Sequence, residues 1–421
     1  MLHYPDVRID ADRLVARLAE LSEIGGIDGT TGSSRLAFTD ADRSGRDLVV
    51  TWMTDLGLDI SIDGIGNVVG LWRPDGLNPS AADRPPVLTG SHIDTVATGG
   101  RYDGNLGVLA GLEVIETLAT AGITPSRPLA VAFFSNEEGA RFAPDMMGSL
   151  VYVGGIGLEQ AHSTEGIDGA VVGDELDRIG YRGPAPCPGL VPHAFVELHI
   201  EQGPVLEQAG LDIGVVESVQ GISWTELTIT GQSNHAGTTP MRLRRDAGYA
   251  AASVAVFVRD LAGELGHPQV ATVGAIDLHP NLVNVIAASA TVTVDLRNTD
   301  NEVLARAERR LHRFLDDLAR AEGVNVSTRT LARFDPVMFD PAVVDLVDEA
   351  ATSLEYSTLR LPSGAGHDAQ MLARVCPTAM IFTPSHQGIS HNPAEHTDPV
   401  HLAAGADTLL RTMWALALDD R

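Results

Sequence analysis

The sequence predicts an α/β fold with a mostly parallel central sheet, interrupted by a smaller α+β unit of four strands and two helices. Three observations predict it. The run Leu129-Ala130-Val131-Ala132-Phe133-Phe134 is apolar throughout, as strands of parallel sheets buried on both faces are. Comparable strand patterns at 86–89, 195–200 and 378–382 each lead into a segment carrying His, Asp or Glu. Between about 214 and 329 the pattern changes to strand, helix, strand, strand, helix, strand, which reads as α+β.

Taken in order, Pro86-Val87-Leu88-Thr89 is a short strand that runs into "GSHIDTV" and places His92 and Asp94 just past its end. "GGRYDGNLG" puts Asp103 immediately before a helical pattern, since Leu106, Leu109, Leu112, Ile115 and Leu118 recur at helical spacing. The apolar run 129–134 stops at "SNEEGARF", with Glu137 and Glu138 side by side beyond the carboxyl end, where α/β sheets collect their ligands. Phe195–Ile200 carries His199 and stops at "EQGP", where Gly203-Pro204 breaks the chain. Thr378–Phe382 leads into the loop "TPSHQGISHNPAEHT" with His386, His391 and His396. In the α+β unit the strands are expected at 223–231, 270–278, 290–298 and 324–330, and the helices at 244–265 and 301–322. "GIGNVVG" at 64–70 has its third glycine one residue late for a dinucleotide loop and reads as a turn inside a β region.

Composition narrows the chemistry. The 421 residues, 44% of them hydrophobic, suffice for two domains, and a formal charge of -27 repels nucleic acid and anionic membranes. No run of about 18 apolar residues and no basic-then-apolar leader is seen, so a cytoplasmic protein is expected. Every basic residue is Arg; without Lys there is no Schiff base and no Walker A lysine. No G-x-S-x-G elbow is present, which argues against a serine α/β-hydrolase. Cys187 and Cys376 are too few for a thiolate cage, so any metal must use His, Asp and Glu.

Five segments thus offer metal-type ligands at strand ends or a helix start. A pair of divalent ions about 3.5–4 Å apart needs a bridging carboxylate, terminal imidazoles and carboxylate, and an unligated acid to move a proton. His92, Asp103, Glu138, His199 and His391 could supply the ligands and leave Glu137 for the proton. Asp94 could hydrogen-bond the far ring nitrogen of His92 and fix its tautomer. Hard oxygen and imidazole ligands suit Zn, Mn, Co or Ni alike. Taken singly, each histidine reads as a satisfied structural group and the glutamates as a solvated pair; their combined placement favours the metal site.

"TGSHIDTV", "RYDGNLGVLAGLEV", "SNEEGARF", "LHIEQGPVLE", "NHAGTTPMRLRRDA", "LPSGAGHDAQ" and "GISHNPAEHT", in this order from about residue 35 to 400, resemble the hydantoinase/carbamoylase branch of the M20 metallo-amidohydrolases. That branch includes N-carbamoyl-L-amino acid hydrolases, β-ureidopropionases and allantoate amidohydrolases. The resemblance implies a di-metal catalytic domain formed by residues 1–213 and 330–421, with an inserted four-stranded lid and dimerisation domain at 214–329. It implies two divalent ions per subunit, one held by His92 and His199, the other by Glu138 and His391, with Asp103 bridging and Glu137 as general base and acid. It implies further that His235 reaches the active site of a partner subunit to stabilise an oxyanion, and that Gln202, Asn284 and Arg297 contact a small substrate bearing carboxylate and ureido groups.

The fork of Arg297 suits a carboxylate, although without the resemblance it reads as a salt-bridging strand residue. His367 has only a supporting role or packs its ring. The alternating "SWTELTITG" could pair edge to edge with its copy in a homodimer, and "GVVES" at 214–218 and "RTLARFDP" at 329–336 would be the connections that bend. After Ile286 the chain continues "AAS" where related proteins often have a Pro-Gly step, so the turn holding Asn284 is expected to differ, and with it the substrate range. The activity implied is hydrolysis of the ureido C–N bond of N-carbamoyl-L-amino acids. Allantoate amidohydrolase is the alternative, with β-ureidopropionase and M20 peptidase or aminoacylase activity behind it. A carboxylate-binding protein on a dead hydrolase scaffold would need a broken ligand set, and none is visible.

Overall fold

The computed structural model describes residues 4–418. The chain forms two compact units: one runs to Glu217 and resumes at Phe339, the other spans Ser218–Met338. Its strands, in chain order, are β1 (Asp59–Ile62), β2 (Val68–Trp72), β3 (Val87–His92), β4 (Leu129–Phe134), β5 (Ala194–Ile200), β6 (Ile213–Val219), β7 (Gly221–Thr230), β8 (Val270–His279), β9 (Ser289–Asn298), β10 (Asn325–Phe334), β11 (Val337–Met338), β12 (Thr358–Ser363) and β13 (Thr378–Thr383). No helix among the described residues is long and apolar enough to cross a membrane.

The first unit is organised by a sheet in the order β1-β2-β4-β3-β5-β13-β6. Its centre, β4-β3-β5-β13, is parallel throughout, while β1, β2 and β6 run antiparallel to their neighbours. All six residues of β4 are buried, as the unbroken apolar run requires of a strand covered on both faces. Phe133, Phe134, Phe195 and Phe382 are buried in this sheet, each contributing about 1.5–3 kcal/mol by leaving water. The helix Asn105–Thr120 packs on β3 and is buried on nearly all sides, including Glu113, whose carboxylate is met by Arg13. From β3 the chain crosses to β4 on one side, then returns past β3 to β5 on the other. That reversal opens a crevice at the carboxyl ends of β3 and β5, the usual ligand position in such sheets. The register sets His92 level with Phe134, and His199 level with Phe382.

The second unit is an antiparallel sheet in the order β10-β7-β9-β8. Its core is Leu227, Ile229, Val292, Val294 and Leu296 from the sheet against Val254, Val258, Leu304, Leu311 and Leu315 from the helices Ala247–Leu265 and Asn301–Glu322. Alternation along β9 sends Ala290, Val292, Val294 and Leu296 inward and leaves Asp295 and Arg297 on the open face. The first helix begins at Ala247 and not at 244, because Asp246 caps it by accepting from the N–H groups of Gly248 and Tyr249.

Three details differ from the sequence expectations. β7, which holds "SWTELTITG", lies inside the sheet with β9 and β10 hydrogen-bonded to its two sides, so it has no edge to offer a second copy; the edges are β8 and β10. The segment 214–216 of "GVVES" is paired with β13 inside the first unit's sheet, so it is not a free connection. β10 continues to Phe334 past a register shift between Thr330 and Ala332, and the second unit accordingly runs to Met338 and not to 329.

Candidate metal centre and active site

Four parallel strands and one helix start deliver the acidic and imidazole groups to one place. Asp103 stands at its centre. Its Oδ1 lies 3.6 Å from His92 Nε2 and 3.2 Å from His199 Nε2, while Oδ2 lies 3.3 Å from His391 Nε2. His391 Nε2 is also 3.3 Å from Glu138 Oε2. The donors therefore form two triads, His92–Asp103–His199 and Asp103–Glu138–His391, that share one carboxylate through its two oxygens. Ligands about 2.0–2.1 Å from a tetrahedral ion stand about 3.4 Å apart along the edges of the tetrahedron. The observed separations match that spacing better than the roughly 2.8 Å of a direct charge-assisted hydrogen bond, and the donor set fits two divalent ions without a thiolate.

The ring nitrogens are prepared for this. His92 Nδ1 bonds the backbone carbonyl of Asp94 at 2.9 Å, and His199 Nδ1 bonds that of Ile200 at 2.9 Å. Each carbonyl demands the N–H on Nδ1, so in the neutral rings both Nε2 lone pairs face Asp103. The fit is tight: Gly104, at φ 65°, passes so close to His92 that a Cβ would come within 2.4 Å of the ring. Gln202 and His391 also have left-handed backbones, with φ 56° and 53°, as does Asn136 with φ 54° just before the two glutamates. Such conformations at side chains other than glycine collect where the fold holds a group in place for function.

Glu137 is buried beside the first triad, with Oε2 3.4 Å from His92 Nε2. Burial pushes its carboxyl well above the usual range; His92 opposes the push, and Asp368, Glu138 and Asp103 add to it. Burial raises Glu138 to about 8, with Asp103 next among the causes. Asp103 goes the other way in the ion-free site: burial works against its charge, but His199, His391 and His92 in their protonated forms donate to it and hold it well below the usual range. His391 is raised to about 9, chiefly by its hydrogen bond to Asp103.

Asp94 takes a different position from the one expected. Its carboxylate does not meet the His92 ring; it accepts the backbone N–H groups of Glu137 at 3.2 Å and Glu138 at 3.4 Å, while its carbonyl orients the ring. The reason is geometric: Asp94 lies past the end of β3, level with the turn leaving β4, where the two orphan N–H groups need an acceptor. Gln202 is in the site, its Nε2 donating to Asp103 Oδ2 at 2.8 Å. His367 packs edge-on against His199 with ring centroids 4.6 Å apart, and its Nε2 meets Ser363 Oγ at 2.8 Å; burial holds it neutral. His386 and His396, from the same loop as His391, pair with Glu207 and Asp398 and stay outside the triads.

His235, Asn284 and Arg297 belong to the second unit. The first two are brought together, since His235 bridges Val285 and Ala236 N–H donates to Asn284 O at 2.9 Å. Nδ1 of His235 accepts from the N–H groups of Gly237 at 3.0 Å and Thr238 at 3.2 Å. That leaves the proton of a neutral ring on Nε2, an outward donor on an exposed side chain. Arg297 is braced on the open face of β9 by Asp295, at 2.8 Å, and by the Trp224 ring, 5.8 Å from its guanidinium carbon. After Ile286, neither Ala287 nor Ala288 has positive φ, and the left-handed residue of this loop is Asn281 at φ 53°. Sequence reasoning missed Ser390 and Glu395. Ser390 Oγ is 3.1 Å from Asp103 Oδ2 and 3.0 Å from Glu395 Oε2, and Glu395 Oε1 accepts from the N–H groups of Tyr102 and Asp103. A loop glutamate four residues after a histidine carries no signal of its own.

A parallel sheet that gathers two triads around a shared aspartate, with a further buried glutamate beside them, fits a di-metal hydrolase scaffold. The chain belongs to the Peptidase family M20/M25/M40, which residues 88–415 match, and within it to the hydantoinase/carbamoylase branch. It is 42% identical over 407 residues to an N-carbamoyl-L-amino-acid amidohydrolase of Rhizobium meliloti, covering 96% of each chain. It is 36% identical over 396 residues to the allantoate amidohydrolase of Escherichia coli strain K12, covering 93% of this chain and 95% of the relative. The crystal structure of an amidase of the hydantoinase/carbamoylase family from Burkholderia multivorans superposes with a TM-score of 0.94 at 44% identity, covering 99% of this chain and 100% of that one.

Proposed function

We propose that this enzyme hydrolyses the ureido C–N bond of N-carbamoyl-L-amino acids, releasing the amino acid, ammonia and carbon dioxide. The observation that carries the reading is the shared Asp103, with Glu137 left over beside it. His92 and His199 would hold one ion and Glu138 and His391 the other, with Zn, Mn, Co and Ni all suited to these donors. When bound, the ions supply Lewis-acid polarisation and acidify a water. Glu137 takes the proton of the attacking water and returns it to the departing nitrogen, a double duty suited to a buried, unligated carboxyl whose proton affinity is raised. Asp94 sets the turn from which Glu137 projects. Arg297 grips the substrate carboxylate with its fork, and Gln202 and Asn284 hold the remaining polar groups.

The oxyanion accepts a hydrogen bond from the Nε2–H of His235, supplied by a second copy in a homodimer. β8 is the edge that suits such a dimer: Val270 and Ile276 are exposed along it, and Tyr249 and Val256 are exposed on the helix Ala247–Leu265 that packs beside it. Cys187 and Cys376 are free thiols, which suits the reducing cytoplasm. Allantoate offers the same carboxylate and ureido groups and is the second reading, favoured by the likeness to the Escherichia coli relative. Ammonia release from N-carbamoyl-L-methionine, N-carbamoyl-β-alanine and allantoate by the metal-loaded enzyme tests the proposal. A specificity constant highest for allantoate would overturn it in favour of the second reading, and no release from any of the three would overturn both.

A further inference from the structure

We propose that Glu395 is a positioning residue that fixes the geometry of the second ion site by tying the aspartate at the centre of the two triads to the loop that carries His391. The inference rests on the two-ion reading above. One carboxylate reaches both sides of the site. Its Oε1 accepts the backbone N–H of Tyr102 at 2.9 Å and of Asp103 at 3.1 Å. Its Oε2 meets the hydroxyl of Ser390 at 3.0 Å, and Ser390 is the residue before His391. Ser390 Oγ in turn lies 3.1 Å from Asp103 Oδ2 and accepts from Gln202 Nε2 at 3.2 Å. The loop is long and His391 is exposed, with 51% of its side chain open to solvent against 2% for His92 and 1% for His199. Packing therefore fixes the first triad, whereas hydrogen bonds must fix the second.

Glu395 is well placed for that task. It is buried to 2% exposure, and Gly100 is bare against it, since a Cβ there would come within 2.1 Å of Oε1. Its partners in this clamp are two amides and a hydroxyl, all donors, so each of its two oxygens is held by hydrogen bonds. A loop that needed only a stop could end in any small polar residue; an acceptor with two oxygens is needed to span Asp103 and Ser390 together. Removing it frees Asp103 Oδ2 and His391 to move independently, which weakens the Asp103–Glu138–His391 site and spares the His92–Asp103–His199 site. Partners standing behind metal ligands typically change metal affinity about 10- to 100-fold.

The test is titration of the full-length apoprotein with Co²⁺, followed by calorimetry and by the visible absorption of the bound ion, for the wild type, Glu395→Ala and Glu395→Gln. The inference expects Glu395→Ala to bind its first ion as the wild type does, and its second about 10- to 100-fold more weakly with an altered spectrum. Glu395→Gln keeps one acceptor on the two amides, and its amide can donate to Ser390 Oγ, so it should recover most of the second affinity. Wild-type binding of both ions by Glu395→Ala would overturn the inference. If Glu395→Ala does not fold, Ser390→Ala decides: it cuts the arm from Glu395 to the His391 loop along with Ser390's own bonds to Asp103 and Gln202, and an unchanged second affinity there overturns the inference, while a selective loss supports it. A wild-type chain that takes up a single ion would sink the two-ion reading and this inference together, whereas equal affinities in wild type and variant sink the inference alone.

Discussion

Replacing Glu137 by Gln isolates the proposed proton carrier from the proposed metal site. The substitution is nearly isosteric, and the local backbone is held independently of the side chain. Glu137 N–H bonds Asp94 at 3.2 Å, and its carbonyl accepts from Met146 N–H at 2.7 Å. The amide therefore stands where the carboxyl stood, 3.4 Å from His92 Nε2, and the triads keep all five of their side chains. What disappears is proton transfer. Because one group serves both the attack and the departure, the loss should reach the upper part of the usual range for a general acid–base, about 10²–10⁴ in kcat, or about 2.7–5.4 kcal/mol at 1.36 kcal/mol per decade. KM should change little, since Glu137 takes no part in holding the carboxylate. The assay is steady-state ammonia release from N-carbamoyl-L-methionine, with the metal content of the same samples measured by mass spectrometry. A variant with two ions and near-normal kcat would refute the role of Glu137; a variant that loses an ion would show that Glu137 is a ligand.

Metal uptake should release protons. Glu138, raised to about 8, and His391, raised to about 9, both carry protons in the apoprotein at pH 7 and must give them up to an ion. Calorimetry in buffers of different ionisation enthalpy should report that release, and no buffer dependence would contradict it. Both pKa values lie above their ordinary 4.5 and 6.5, so these two groups stabilise the apoprotein at low pH and lose that contribution as pH rises through about 8 and 9. The gap between the melting temperatures of metal-loaded and metal-free protein should accordingly widen from pH 6 to pH 9. Asp42→Ala should cost about 3–5 kcal/mol in chemical unfolding, because it strands the fully buried guanidinium of Arg46, 2.8 Å from the Asp42 carboxylate; a loss under 1 kcal/mol would show that its remaining bonds to Gly66 and Ser135 suffice. On the proposed homodimer, mixing His235→Ala and Glu137→Gln chains should regain part of the activity that neither variant has alone, and no recovery would place His235 in its own chain's reaction.

The sheet was legible because parallel strands announce themselves. The run 129–134 has no polar residue to alternate, and it is β4 with unchanged bounds. The candidate ligands then lie at the carboxyl ends of the strands, His92 and His199 within the last two residues of β3 and β5 and not past them, Glu138 and His391 beyond β4 and β13, so the distant segments could be associated from their strand ends. Edges were not legible. "SWTELTITG" alternates as an edge strand does, yet β7 is central, because one face of it packs on helices while the other stays open in a sheet covered on one side. Roles fixed by a few tenths of an ångström were also hidden. That Asp94 uses its carbonyl on His92 and its carboxylate on the next turn depends on the register of β3 with β4. Glu395 lies outside any periodic element, and only the fold reveals that it faces the Asp103 backbone.

The most direct measurement is a crystal structure of the metal-loaded protein with anomalous diffraction recorded at the absorption edge of the bound ion. The account predicts two peaks about 3.5–4 Å apart, one among His92, Asp103 and His199, the other among Asp103, Glu138 and His391, with the Glu137 carboxyl bound to neither. A single peak, or Glu137 found coordinating an ion, would contradict it.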